Sequence, residues 1–157
     1  MGGFRVIAMS EELAERVRAT RRSPGYGHPV HAEAADGPWP CRVCLERKEP
    51  HGSERRLLFT YDAFDGVEKL PLPGPVFIHE EPCARFAGEN RFPDDLRRVP
   101  LTLNAYGQGR RLLAQEYVTD GAVEPLLASL LARAEVAYIH LRHTRAGCYL
   151  ARVERTG

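Results

Sequence analysis

Leu101-Thr102-Leu103-Asn104-Ala105-Tyr106 alternates apolar and polar side chains, Gly107-Gln108-Gly109 follows, and residues 111–118 resume an extended pattern. Alternation with a period of two marks a strand with one face turned inward. Two such runs joined by a glycine-rich triplet read as a β-hairpin. The same logic applies nearer the C-terminus. Residues 136–142 and 148–154 are apolar-rich runs on either side of Thr144-Arg145-Ala146-Gly147, a second hairpin. Between the hairpins, Asp120 is placed to cap a helix. Leu126, Leu127, Leu130 and Leu131 fall at helical spacing in it, and Pro125 is tolerable in its first turn.

Moving toward the N-terminus, residues 75–79, 56–62 and 41–45 are further candidate strands. Pro71-Leu72-Pro73-Gly74-Pro75 is a stiff lead-in that cannot donate ladder hydrogen bonds. Residues 23–40 hold prolines and glycines with little periodicity, but also Tyr26 and Trp39, so an ordered excursion is expected. Residues 4–9 form a short apolar strand. Ser10 is then an N-cap, Glu11 and Glu12 suit the positive helix end, and the helix should stop near Arg22, before Ser23-Pro24-Gly25. Strands that neighbour in sequence, with two main helices, predict an α+β fold with a largely antiparallel sheet. At 157 residues the chain is expected to form a single domain over 1–157.

Composition narrows the function classes. The chain is 43% hydrophobic and 27% charged with a net charge of +1, so it is neither disordered nor strongly basic. Arginines outnumber lysines 20 to 2 but alternate with acids, and no basic run exceeds two residues. Phosphate binding needs clustering, so no nucleic-acid partner is expected. No apolar run approaches a membrane span, so no membrane partner is expected. The N-terminal stretch lacks the apolar core of an export signal, which points to a cytoplasmic location. In that reducing compartment the four cysteines are expected as thiols. The nucleophile-elbow, phosphate-loop, dinucleotide and zincin signatures are all absent.

The chemistry-bearing residues form three blocks. Cys41-Arg42-Val43-Cys44 is a C-x-x-C, whose two thiolates can grip one metal, exchange as a redox pair, or simply pack inward. In Gly74-Pro75-Val76-Phe77-Ile78-His79-Glu80-Glu81-Pro82-Cys83 a strand should end at His79. Pro82 reads as the first residue of a short helix, which would set Cys83 in a first helical turn. Glu80 and Glu81 nearby oppose a thiolate but would suit a cation. In Tyr138-Ile139-His140-Leu141-Arg142-His143 the two histidines lie three apart in a strand, so they face opposite ways and cannot chelate together. His143 faces Cys148 if the loop is Thr144 to Gly147. His28, His31 and His51 are expected at the surface, although His28-x-x-His31 could clip a metal.

Taken together, these blocks resemble the bacterial domain-of-unknown-function family 1203. The motifs are Pro40-Cys41-Arg42, Gly74-Pro75-Val76-Phe77-Ile78-His79 with Cys83, and Tyr138-Ile139-His140 through Gly147-Cys148-Tyr149. The resemblance implies a small bacterial protein and brings no established reaction. It singles out Cys41, His79, Cys83, His140 and Cys148, which fall inside the matching blocks. The expected metal-binding set is Cys41, His79 and Cys83, with Cys44 or His140 as a fourth member, holding a transition metal such as zinc or iron. Two alternatives stand beside it. One is a small-ligand or protein-binding module with structural cysteines and no metal. The other is a thiol-dependent enzyme using Cys83 with a histidine.

Overall fold

The computed structural model describes residues 2–35, 37, 39–47 and 54–156. His51 lies outside them. Among the described residues, eight strands and two α-helices follow one another as β1 (Gly3–Ile7), α1 (Glu11–Thr20), β2 (His31–Ala34), β3 (Arg55–Asp62), β4 (Pro73–His79), β5 (Leu101–Tyr106), β6 (Leu112–Val118), α2 (Glu124–Leu131), β7 (Tyr138–His143) and β8 (Tyr149–Thr156). A short 3₁₀ segment, Asp94–Arg98, precedes β5. The fold is α+β, as the alternation at 101–106 suggested. No described helix is long and apolar enough to cross a membrane.

The strands form two sheets where sequence reading pointed to one. Five strands run in the order β1-β8-β7-β5-β6 and three in the order β2-β3-β4, with every pairing antiparallel. Both expected hairpins are present: Leu101 pairs with Val118, and His143 donates its amide to the Cys148 carbonyl at 3.0 Å. Leu103, Ala105, Ile139, Leu141 and Val153 join Leu127, Leu130 and Leu131 of α2 in the larger core. The opposite side of β5 and β7 is also buried, so all six β5 residues are buried. Sheet covered on both faces has no solvent side to reveal its register.

Local chemistry explains the helix ends. Ser10 Oγ accepts from the Leu13 amide at 3.2 Å, Glu11 and Glu12 occupy the first turn of α1, and Arg21 caps it in the left-handed region (φ 55°). The second helix starts later than expected. Asp120 Oδ1 accepts from the Ala122 amide in a local turn and Gly121 takes φ 77°, so helical geometry begins only at Glu124. The strand β2 lies within the Pro/Gly-rich excursion, where its alternation covers only four residues. Its pairing with β3 (Ala32 opposite Leu57) is what makes it a strand.

Candidate metal centre

Cys41, Cys44, His79 and Cys83 converge. One ligand atom from each lies within 4.8 Å of all the others. Three different pieces of chain deliver them: the loop before β3, the last residue of β4, and the segment that follows it.

Residues 41–45 are not the strand that Val43-Cys44-Leu45 suggested. They form a tight turn in which the Leu45 amide donates to Cys41 O at 2.8 Å, and Leu45 itself adopts φ 59°. Val43 and Leu45 are apolar because they are buried, each fully, not because they extend. Neighbours hold the turn in place. Met9 donates to Arg42 O at 3.0 Å, and Arg42 N donates to Phe77 O at 3.2 Å. The Arg42 side chain, only 2% exposed, donates to Tyr149 O, Pro40 O and Cys148 Sγ at 2.6, 2.9 and 3.0 Å. The turn also aims backbone amides at sulfur: Val43 N and His79 N donate to Cys41 Sγ at 3.4 and 3.3 Å. Amide donors favour a thiolate over a thiol.

His79 ends β4, as expected, opposite Arg56 of β3. Its Nδ1 faces Cys44 Sγ at 3.5 Å, while its Nε2 stands 3.1 Å from Oε1 of Glu54, a buried carboxylate just before β3. An imidazole with one nitrogen toward a ligand site and the other on a carboxylate is the outer-shell arrangement that fixes the tautomer of a metal-bound histidine.

Cys83 does not begin a helix. Residues 82–88 are irregular, because the Phe86 amide donates to Val43 O (2.9 Å) and the Arg85 guanidinium to Ala8 O (2.6 and 3.2 Å). The Phe86 bond takes a backbone donor that a helical turn would use, and the Arg85 side chain pins the segment from outside. The cation beside Cys83 is instead Arg18 of α1, which donates Nη2 to Cys83 Sγ at 3.7 Å and Nε to His79 O at 3.1 Å. Glu80 is turned away from the sulfurs and bridges Arg21 and Arg55 at 2.9 and 3.0 Å, and the two guanidiniums hold its carboxyl below the usual range.

The protonation of the cluster follows from this packing. Burial pushes the Cys41 thiol up, but its contacts with Cys44, Cys83 and His79 outweigh that and bring it well below its ordinary value. Cys44 moves the other way, raised by its contact with Cys41, then by Cys83 and by burial. For His79, burial lowers the imidazole, whereas the Cys41 and Cys83 sulfurs and the Glu54 carboxylate raise it to about 10. The lowered Cys41 thiol is the direction a metal ligand needs, since the thiolate is the donor.

The remaining sequence candidates lie elsewhere. His140 is not part of the cluster: it is fully buried in β7, ringed by Phe64, Tyr149, Tyr138 and Tyr106 with centroids 4.6, 4.9, 5.1 and 5.3 Å away. Neither of its ring nitrogens has a hydrogen-bond partner among the described residues. Burial first, then Arg142 and Arg152, lower it to about 3. Cys148 belongs to the Arg42 contact. His143 packs on Trp39 at 4.7 Å and accepts at Nδ1 from the Arg145 and Ala146 amides. His28 bonds Thr60 Oγ1 at 2.8 Å, and His31 faces Glu33 at 3.8 Å.

Glu54 and Arg18 were missed by sequence reading. Arg18 carries a faint signal, since it follows the buried Ala14 by four residues on α1 and so borders the core face. Glu54 carries none until the β3–β4 register is known.

Fold and site together define a small α+β protein with a three-cysteine, one-histidine cluster buried between a turn, a strand end and a loop. The chain belongs to the family described as "Protein of unknown function (DUF1203)", whose model matches residues 38–155. All four cluster residues fall inside the match, while β1, α1 and β2 precede it. No curated protein and no solved structure matches the chain.

Proposed function

We propose that the chain is a single-domain metal-binding protein in which Cys41, Cys44, His79 and Cys83 hold one transition metal ion, zinc or iron, in a closed four-ligand site. The observation that carries this reading is the shape of the cluster. In a tetrahedron with metal–sulfur bonds of about 2.3 Å and metal–nitrogen bonds of about 2.0–2.1 Å, a sulfur–sulfur edge is about 3.8 Å and a sulfur–nitrogen edge about 3.6 Å. Cys41 Sγ to Cys83 Sγ is 3.7 Å and Cys44 Sγ to His79 Nδ1 is 3.5 Å, two opposite edges of that figure.

Charge and donor type agree. Three thiolates around a divalent cation leave one net negative charge, and Arg18 stands beside the most exposed sulfur to offset it. Sulfur with imidazole suits zinc or iron and not a hard cation. Four protein ligands fill the coordination of a tetrahedral ion, so the centre is structural. It ties the 41–45 turn to the end of β4 and to the irregular loop at Cys83.

The test is metal content in protein purified without a metal-affinity tag. Cys83→Ser and His79→Ala should each lower the stoichiometry from one ion per chain, and a strong chelator should lower the melting temperature of the parent. A parent that carries no stoichiometric metal and takes up neither zinc nor iron overturns the reading.

A further inference from the structure

The four thiol-site residues are not equally sheltered. Cys41 is fully buried, and Cys44 and His79 are each 3% exposed, whereas Cys83 is only partly buried. A cleft of about 400 Å³ ends at Cys83, walled by Glu11, Glu15, Arg18 and Ala19 of α1 and by Val43 and Pro82. Arg18 therefore sits in the cleft wall with its guanidinium on the one sulfur the cleft reaches. Behind that sulfur, 3.7 Å away, lies Cys41 Sγ, which has no route to solvent of its own.

From this juxtaposition we infer that the cluster is a hydroperoxide-reactive site, in which Cys83 is the thiol attacked first and Cys41 the thiol that resolves it. A small hydroperoxide enters the cleft. The Cys83 thiolate attacks one peroxide oxygen, the O–O bond breaks, and the departing oxygen takes a proton and leaves as water or an alcohol. Cys83 is then a sulfenic acid. The Cys41 thiolate attacks that sulfur, the S–OH bond breaks, and the hydroxide leaves with a second proton as water. In sum two thiolates lose two electrons to form a disulfide, and the peroxide gains them. The Arg18 guanidinium beside the sulfur is placed to stabilise the departing oxygen. Closing a gap of 3.7 Å to a bond of about 2 Å asks for rotation of two side chains and a small shift of the irregular loop at 82–88.

The disulfide step stands on the thiol geometry alone. Its consequence for an ion rests on the metal-binding reading: with Cys41 and Cys83 joined, only Cys44 and His79 remain as ligands, and the ion is released. Cys148, the other partly buried thiol, has Arg42 beside it and lies outside the cluster, so it has no sulfur there to resolve it.

The experiment treats the protein as purified with hydrogen peroxide and follows free thiols, disulfide-linked peptides and released metal on one sample. Free thiols should fall from four to two, with Cys41 joined to Cys83 and one ion lost in step with the bond. Cys83→Ser should slow thiol loss by at least an order of magnitude. Arg18→Gln, which keeps every thiol, should slow it several-fold. The same disulfide should form in protein stripped of metal, which separates the two readings. Disulfide without any native metal overturns the metal centre and leaves this inference standing; a metal-loaded protein whose Cys41 and Cys83 stay reduced does the reverse. Oxidation that joins Cys41 to Cys44, or that runs at the parent rate in both variants, overturns the inference.

Discussion

Replacing His140 by leucine, close to it in volume, probes a buried imidazole that the fold keeps neutral. Free histidine titrates near 6.5, whereas burial among four aromatic rings, with Arg142 and Arg152 nearby, brings His140 to about 3. The sign follows from proton counting. Between these values the unfolded chain binds a proton that the native chain refuses, so this group's contribution is present above about pH 6.5 and is lost as pH falls toward 3. At about pH 4.5, two units below the free value, the loss amounts to about 2–3 kcal/mol. His79 does not confuse the window, because its raised value keeps it protonated in both states below about 6. Near pH 7 the substitution should change little. Leucine removes two ring nitrogens that lack partners, which offsets ring contacts that contribute about 0.5–1.5 kcal/mol per pair. Urea unfolding of parent and variant near pH 7 and near pH 4.5 gives the difference directly. The variant should be the more stable protein at the lower pH by about 2–3 kcal/mol relative to the gap near neutrality. Parallel profiles for the two proteins would refute the claim that the fold holds His140 neutral.

Two further outcomes follow from packing and from the outer shell. Leu130→Ala should cost about 2–5 kcal/mol in chemical denaturation, because Leu130 is 5% exposed and packs in the larger core between α2 and the five-stranded sheet. A change under about half a kcal/mol would mean that the helix is peripheral. Glu54→Gln should weaken metal affinity by about 10–100-fold in a chelator competition assay while leaving the ligand count unchanged. An unaltered affinity would remove Glu54 from its positioning role on His79.

Much of the fold was legible because much of it is local. Alternation at 101–106, the glycine turn after it, and the paired runs at 136–142 and 148–154 mark their hairpins from short range. So does Ser10 as a helix cap. What was hidden depends on distant partners. Val43-Cys44-Leu45 has strand composition, yet the bonds of Arg42 with Met9, Phe77 and Tyr149 hold the stretch as a turn. Pro82 has the look of a helix start, yet Arg85 and Phe86 are bound to Ala8 and Val43. His31-Ala32-Glu33-Ala34 alternates over four positions only, too short a run to mark a strand, and it extends because β3 lies beside it.

The site divides in the same way. Cysteine spacing drew attention to Cys41 and Cys44, and the strand end marked His79, with Cys83 four residues on. Their convergence is a property of the three-dimensional path. His140 illustrates the opposite failure. A histidine that shares a strand face with a tyrosine and an arginine reads alike whether it serves a site or fills a core, and the sheet face His140 occupies belongs to aromatic rings.

The central claim is a closed site with three sulfurs and one nitrogen, and X-ray absorption at the metal edge tests it most directly. Measured on protein purified without a metal-affinity tag, the spectrum should fit three sulfurs at about 2.3 Å and one nitrogen at about 2.0–2.1 Å around one zinc or iron per chain. A shell of oxygen and nitrogen alone, or one containing fewer than three sulfurs at full occupancy, would contradict it.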